Sequence, residues 1–293
     1  MHIGHVAMQV PDLGASSEHA QRALGLAEVE SGPDVAYLST GLKHHEMQLI
    51  AADAPGLDHV GFEVQTEAEL ERLRDAAVAA GARVLSEEPL EPGLASAVRL
   101  VGPADLVFEL YTPMEVAPPA IDQQIGRHAK RFGHVTVVTP DGAELVKFAT
   151  EALGFRVSDA FGDFTWMRCD PNHHSLAVGT LPIPAGVMHH YAFELNGWGG
   201  MMAYLDDVAL RGENVNYGPG RHGPGYNIFT YLPDPAGALL EAYTDLQMIY
   251  DDATYEPMDW DKVPGALNLW GPDMPSNFGD FGIPILAAEG ASS

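Results

Sequence analysis

One cysteine, few cations and no long apolar run mark this chain by what it lacks. Cys169 stands alone among 293 residues, which excludes an intrachain disulfide and any zinc site built from several thiolates. Only 15 Lys and Arg face 41 acidic residues, a formal charge of −26. The chain therefore has no basic footprint for nucleic acid or anionic lipid. No stretch approaches the ~18 uncharged apolar residues that a membrane span needs. The opening MHIGHVAMQV has neither a basic segment nor a long apolar core of the secretory kind, so a soluble, cytoplasmic protein is the expectation. With 46% hydrophobic and 19% charged residues the composition is that of a globular protein. The length suits two modules of about 120 residues and a tail.

What is present is a repeat that carries chemistry. Residues 1–112 hold His5, His59 and Glu109, and residues 130–245 hold His134, His190 and Glu241. The two histidines are 54 residues apart in the first half and 56 in the second, and the carboxylate follows after 50 and 51. Two histidines and a carboxylate drawn from distant points are the ligand set of the facial triad that holds non-haem Fe(II). Its appearance twice in register predicts a duplicated metal-binding module with one copy or both in use.

Each half divides again. His5–Val10 alternates as a strand does, a helix is expected from about Ala15 to Leu24 with Gly25 as its stop, and Val35–Leu38 and Glu46–Ile50 are further strands. His59–Val64 opens the second quarter, Thr66 with Glu69 caps a helix to about Ala80, and Val98–Val101 and Leu106–Leu110 close it. The third quarter runs from Gly133–Val138 through a helix near Ala143–Leu153 to Ser175–Val178. The fourth runs from His190–Leu195 through a helix near Met201–Leu210 to Ala238–Tyr243. The expected fold is α+β, four βαβββ units forming two tandem modules, each a curved mixed sheet around a cavity with helices outside. On strands of period two, ligands near the start of a strand share the cavity face. Residues 113–129, with Pro113, Pro118 and Pro119, read as a linker, and 246–293, rich in Pro with Trp260 and Trp270, as an extended tail packed on the body.

At these residues the chain resembles the type I extradiol ring-cleavage dioxygenases of the vicinal-oxygen-chelate superfamily, over about residues 1–245. Gly133-His134-Val135 is similar to the segment giving the first metal ligand, and His189-His190-Tyr191-Ala192-Phe193 to the second, with His190 as ligand. Asp234-Pro235-Ala236-Gly237 and Leu240-Glu241-Ala242-Tyr243-Thr244 resemble the signature that ends in the carboxylate ligand. The resemblance further implies His174 as the acid–base histidine, His222 as a histidine beside the substrate, and Tyr231 as the active-site tyrosine. It implies Fe(II), with Mn(II) able to use the same ligands, a catechol and O2 as substrates, and a homo-oligomer.

The chemistry suits these residue types. Fe(II) held on one face leaves opposite positions open for a catechol and O2, and a histidine that titrates near neutrality can exchange the protons the reaction moves. The N-terminal half departs from the pattern. It has His45, which lies 14 residues before His59 as His174 lies 16 before His190, but Arg99 stands where the second half has Tyr231, and nothing in 91–97 resembles Arg221-His222-Gly223. The C-terminal half is therefore expected to be catalytic and the His5, His59, Glu109 set to be a remnant or a structural polar cluster. His173 and His189, each beside a functional residue, are expected to turn to the other face, Cys169 to be packing, and Asp234 to cap a turn. Phe161, Phe164, Trp166, Phe193 and Trp198 read first as core, with one or two facing the substrate. Arg221 or Arg168 could meet an anionic substituent, but the scarcity of cations points to a neutral or hydrophobic catechol. The alternatives are a hydroquinone dioxygenase or a glyoxalase-like isomerase on the same scaffold, and a metal-free small-molecule binding protein.

Overall fold

The computed structural model describes residues 1–116 and 129–287, so most of the expected linker and the last six residues lie outside the described part. The first half contains β1 (His2–Val10), α1 (Leu13–Leu24), β2 (Ala27–Ser31), β3 (Val35–Ser39), β4 (Met47–Ala51), β5 (Gly56–Glu63), α2 (Glu67–Ala79), β6 (Arg83–Ser86), β7 (Ala97–Val101) and β8 (Val107–Tyr111). Its sheet has the order β2-β3-β4-β1-β5-β8-β7-β6. The second half contains β9 (Arg131–Thr139), α3 (Gly142–Glu151), β10 (Arg156–Phe161), β11 (Phe164–Arg168), β12 (Leu176–Thr180), β13 (Val187–Glu194), α4 (Gly197–Leu210), β14 (Tyr217–Arg221), β15 (Ile228–Pro233) and β16 (Leu239–Thr244). Its order, β10-β11-β12-β9-β13-β16-β15-β14, repeats the first strand for strand, with β17 (Ile283–Pro284) added beside β13. The protein is α+β, built from two mixed sheets of βαβββ units.

Local sequence explains the helix ends. Asp12 accepts the amide of Ala15 at 2.9 Å and starts α1, and Gly25 ends it in the left-handed region at φ 66°. Thr66 caps α2 through the amide of Glu69, whose carboxylate reaches back to the amide of Gln65 at 3.0 Å. The strands that pattern reading passed over are β2, β6, β10, β11, β14, β15 and β17. β6 is four partly exposed residues, and β14 (Tyr-Gly-Pro-Gly-Arg) has no alternation to read. The two sheets share one apolar core, in which Phe62 of β5 packs edge-on against Phe155 and Phe108 of β8 against Phe148 of α3.

Register sets the centre of each sheet. In the first, β1 lies antiparallel to β5 with His5 opposite Gly61, and β5 lies parallel to β8 with Gly61 opposite Glu109. His5, Gly61 and Glu109 thus form a row on one face, with Arg99 of β7 opposite Glu109 as its fourth member. In the second sheet the row is His134, Ala192, Glu241 and Tyr231. A small residue between histidine and carboxylate lets their side chains meet above it. A Cβ at Gly61 would lie 2.1 Å from Cε1 of the buried His5. Gly61→Ala is therefore expected to destabilise the fold by about 1–3 kcal/mol, read as a lower Tm. An unchanged Tm would mean that the row has room to spare.

Candidate active site

His134 and His190 come from β9 and β13 and Glu241 from β16, three adjacent strands at the middle of the second sheet. All three are at least nine-tenths buried. Nε2 of His134 lies 3.0 Å from Oε2 of Glu241, and Nε2 of His190 3.4 Å from the same oxygen. The ligand atoms of the trio lie within 4.8 Å of one another. Around them the strand alternation puts His134, Thr136 and Val138 of β9, and Phe164 and Trp166 of β11, on the walls of a cavity of about 290 Å³.

Each ligand is held from behind. Asn227 donates to Oε1 of Glu241 at 2.9 Å and Tyr231 donates its hydroxyl to Oε2 at 3.0 Å. Nδ1 of His190 meets Nδ1 of His189 at 2.7 Å. The pairing of β13 with β9 skips a residue between Met188 and His190, so His189 is a β-bulge. This corrects the expectation that alternation turns His189 away. It is buried, lines the cavity, and bonds the carbonyl of Phe278 through Nε2 at 2.8 Å.

His173 packs beneath the site rather than lining the cavity. It is fully buried, with Nδ1 3.0 Å from Nδ1 of His174 and Nε2 3.0 Å from Asp159. Asp159 in turn accepts from the indole of Trp260 at 2.6 Å and the amide of Met258 at 2.8 Å. His174 therefore connects through His173 and Asp159 to the C-terminal segment. That segment also supplies Leu267, Met274, Phe278 and Phe281 to the cavity wall. The Leu267 carbonyl takes Nδ1 of His222 at 2.7 Å, and Nε2 of His222 lies 3.0 Å from the Tyr231 hydroxyl. Asp234 accepts the amide of Ala236 in its turn, as expected. Cys169, its thiol pushed up to about 12 by burial, is inert packing.

Among the aromatic residues weighed as core or lining, Phe164 and Trp166 line the cavity, Phe193 is core, and Trp198 is 43% exposed. Among the described residues no Lys or Arg lines the cavity. Arg168 is occupied by Asp252 and by the Val157 carbonyl, and Arg221 lies over Trp270.

Electrostatics favour a metal-ready state. Burial lowers His190 and His174 well below the ordinary imidazole value, with neighbouring histidines adding to it. Burial raises Glu241, but His134 and the hydrogen bonds outweigh it, so the carboxyl lies below its ordinary value. Two imidazoles and one carboxylate, with Nε2 atoms converging on a carboxylate oxygen, fit a divalent ion of the Fe(II) or Mn(II) kind.

In the first half the corresponding residues also meet, with a different outcome. Nε2 of His5 lies 3.1 Å from Nε2 of His59 and 3.2 Å from Oε2 of Glu109. Arg99 donates to Oε1 of Glu109 at 2.7 Å and to Glu91 at 2.5 Å. Glu91 is the residue that sequence reading missed. It comes from a loop, Glu88-Pro89-Leu90-Glu91-Pro92, with no periodicity to place it, yet it is 5% exposed and reaches His45, His59 and His5. Burial lowers His59, but Glu91 and Glu109 outweigh it and raise it to about 9.

With this geometry in view, the chain belongs to the Glyoxalase/Bleomycin resistance protein/Dioxygenase superfamily, whose model matches residues 2–108 and 131–242. The chain is 27% identical to a manganese-dependent 2,3-dihydroxybiphenyl 1,2-dioxygenase of Geobacillus genomosp. 3, over 92% of this chain and 94% of that one. It is 23% identical to an iron-dependent extradiol dioxygenase of Rhodococcus jostii (strain RHA1), over 92% and 96%. Its fold matches the Mn(II)-bound glyoxalase from Novosphingobium aromaticivorans with a TM-score of 0.83 and 27% identity, over 94% and 92%.

Asp159 generates a prediction. Burial raises its pKa, but the bonds from His173, Met258 and Trp260 outweigh that and lower it. A carboxyl depressed on folding stabilises above its unfolded value of about 3.9, and that contribution is lost as pH falls through the folded value. Asp159→Ala is expected to cost about 3 kcal/mol or more, since His173, Tyr255, Met258 and Trp260 lose their partner, and to flatten the acid limb of the Tm–pH curve below about pH 4. A variant with wild-type Tm would show that the segment is held elsewhere.

Proposed function

We propose that the protein cleaves the ring of a catechol with O2, in the extradiol manner, at a single divalent ion in the C-terminal half. The observation that supports this most directly is the convergence of His134, His190 and Glu241 at the inner end of an apolar cavity. The names of the Geobacillus and Rhodococcus relatives agree with it. The bond beside the diol breaks, both atoms of O2 enter the product, and the diol supplies the electrons. The product is of the 2-hydroxymuconic semialdehyde type.

His134, His190 and Glu241 hold the ion, Fe(II) by preference with Mn(II) as the alternative. When bound it supplies adjacent open positions at which a diol and O2 meet. Asn227 and Tyr231 hold the carboxylate, and His189 fixes the ring of His190. His174, kept neutral by burial, accepts a proton from the diol and returns it to the oxygen side of the reaction. Its link through His173 to Asp159 sets its orientation. With Nδ1 tied to the Leu267 carbonyl, His222 turns Nε2 toward Tyr231, and the pair hydrogen-bonds the reacting oxygens. Phe164, Trp166, Ile183, Met274 and Phe281 enclose the ring and keep water out. With no cation on the wall, a neutral or hydrophobic ring substituent is the substrate class this cavity fits.

Anaerobic loading with Fe(II) or Mn(II), followed by air and a panel of catechols, tests the reading. A yellow product with one O2 consumed per turnover is expected, abolished in Glu241→Ala and retained in folded Glu109→Ala. Tyr231→Phe and His222→Gln are expected to lower kcat by roughly 10- to 1,000-fold with metal content unchanged. Isomerisation of the kind named for the Novosphingobium protein is the second reading. It consumes no O2, so turnover without oxygen uptake would replace the first reading with it.

A further inference from the structure

We propose that the N-terminal sheet holds a second divalent metal ion, bound by His5, His59, Glu91 and Glu109 in a closed, structural site. This site is separate from the proposed catalytic one and does not rest on that reading.

Four ligand atoms from these residues lie within 4.8 Å of one another, and every one of the residues is at most 5% exposed. Nε2 of His5 lies 3.1 Å from Nε2 of His59, 3.2 Å from Oε2 of Glu109 and 3.3 Å from Oε2 of Glu91, and Nε2 of His59 lies 2.8 Å from Oε1 of Glu91 and 3.8 Å from Oε2 of Glu109. Donors about 2.0–2.2 Å from a first-row ion stand roughly 3 Å from their neighbours in its shell. The distances therefore match a coordination shell as well as those of the C-terminal trio do.

Two further observations point to a ligand. Oε2 of Glu109, in a side chain with no exposure, has no hydrogen-bond partner and faces Nε2 of His5. His59 is oriented as metal-bound histidines are, with Nδ1 2.6 Å from a carboxylate oxygen of Asp58. Asp58 is itself the unpaired residue of a bulge, since β1 pairs Ala7 with His59 and Met8 with Leu57. This is the device that β13 uses, where bulge residue His189 fixes Nδ1 of His190.

Charge agrees with a cation in this cluster. Asp58, Glu91 and Glu109 bring three negative charges, and Arg99 is the one guanidinium set against them. An excess of negative charge remains beside the buried Glu91 and Glu109, where unbalanced charge is costly. A divalent ion offsets that excess, and histidines that ligate a metal do so without the proton. Arg99 borders the cluster: it holds Oε1 of Glu109 and Oε1 of Glu91 and comes within 3.4 Å of Nε2 of His59, while Oε2 of Glu109 faces Nε2 of His5. The rival arrangement puts protons on the histidines instead.

Four protein ligands and no access define a structural site rather than a catalytic one. Nitrogen and oxygen donors without sulfur suit Zn(II), Mn(II) or Fe(II). Such an ion would tie β1, β5, β8 and the loop at Glu91 into one unit.

The test is metal stoichiometry. Wild type, His134→Ala/Glu241→Ala and Glu91→Gln are stripped with chelator, loaded anaerobically with Zn(II), Mn(II) or Fe(II) in turn, desalted, and counted by mass spectrometry of the metal. The expected counts with the preferred ion are two per chain in wild type and one in each variant. The C-terminal variant should also gain several degrees in Tm on loading. The proposal is overturned if wild type takes one ion and the C-terminal variant, still folded by circular dichroism, takes none. It is equally overturned if Glu91→Gln keeps both. The wild-type count alone decides if either variant fails to fold.

Discussion

Everything at the centre of this protein depends on one geometric constraint: three adjacent strands must place histidine, a small residue and glutamate side by side on one face. In the second sheet the row is His134, Ala192 and Glu241, and Tyr231 extends it to a fourth strand. Opposed residues on paired strands have Cβ atoms only about 5 Å apart, so a large side chain at the middle position would hold the outer two away from each other. Ala192 and Gly61 solve the same problem in the two halves. The second histidine, two residues along the middle strand from the small one, completes the set by period two.

The same scaffold carries two different electrostatic solutions. In the C-terminal half, burial and mutual repulsion among histidines hold His190 and His174 well below the ordinary imidazole value, and the cavity above them is apolar and open enough to admit a ring. In the N-terminal half, Arg99 stands at the register position of Tyr231, and with Glu91 it brings charge to the cluster. The first arrangement leaves room for a substrate. The second surrounds the ligand row with buried charge, so the two halves keep the same rows in different surroundings.

The C-terminal segment joins these features to the cavity. Asp159 gathers Trp260, Met258 and His173, and His173 sets His174. Leu267 fixes the tautomer of His222, and Phe278 takes His189. A segment with little regular structure thereby orients three histidines of the cavity through backbone carbonyls and one buried carboxylate. Its own anchor, β17, is two residues beside β13.

Much of this was legible in the sequence. The fourfold order of strand and helix could be read from alternation and from Asp12, Thr66 and Gly25 at helix ends, because those signals are local. The convergence of His134, His190 and Glu241 could be read because duplication printed the same spacing twice. Three things were decided only by tertiary structure. A bulge in β13 turned His189 inward, since an inserted residue shifts the face without leaving a mark in the pattern. Glu91 entered the N-terminal cluster from a proline-flanked loop whose path local propensity does not specify. The contacts of Asp159 with Trp260 and Met258 span about a hundred residues, and contacts at that separation are fixed by how sheets and tail pack, not by any neighbouring residue.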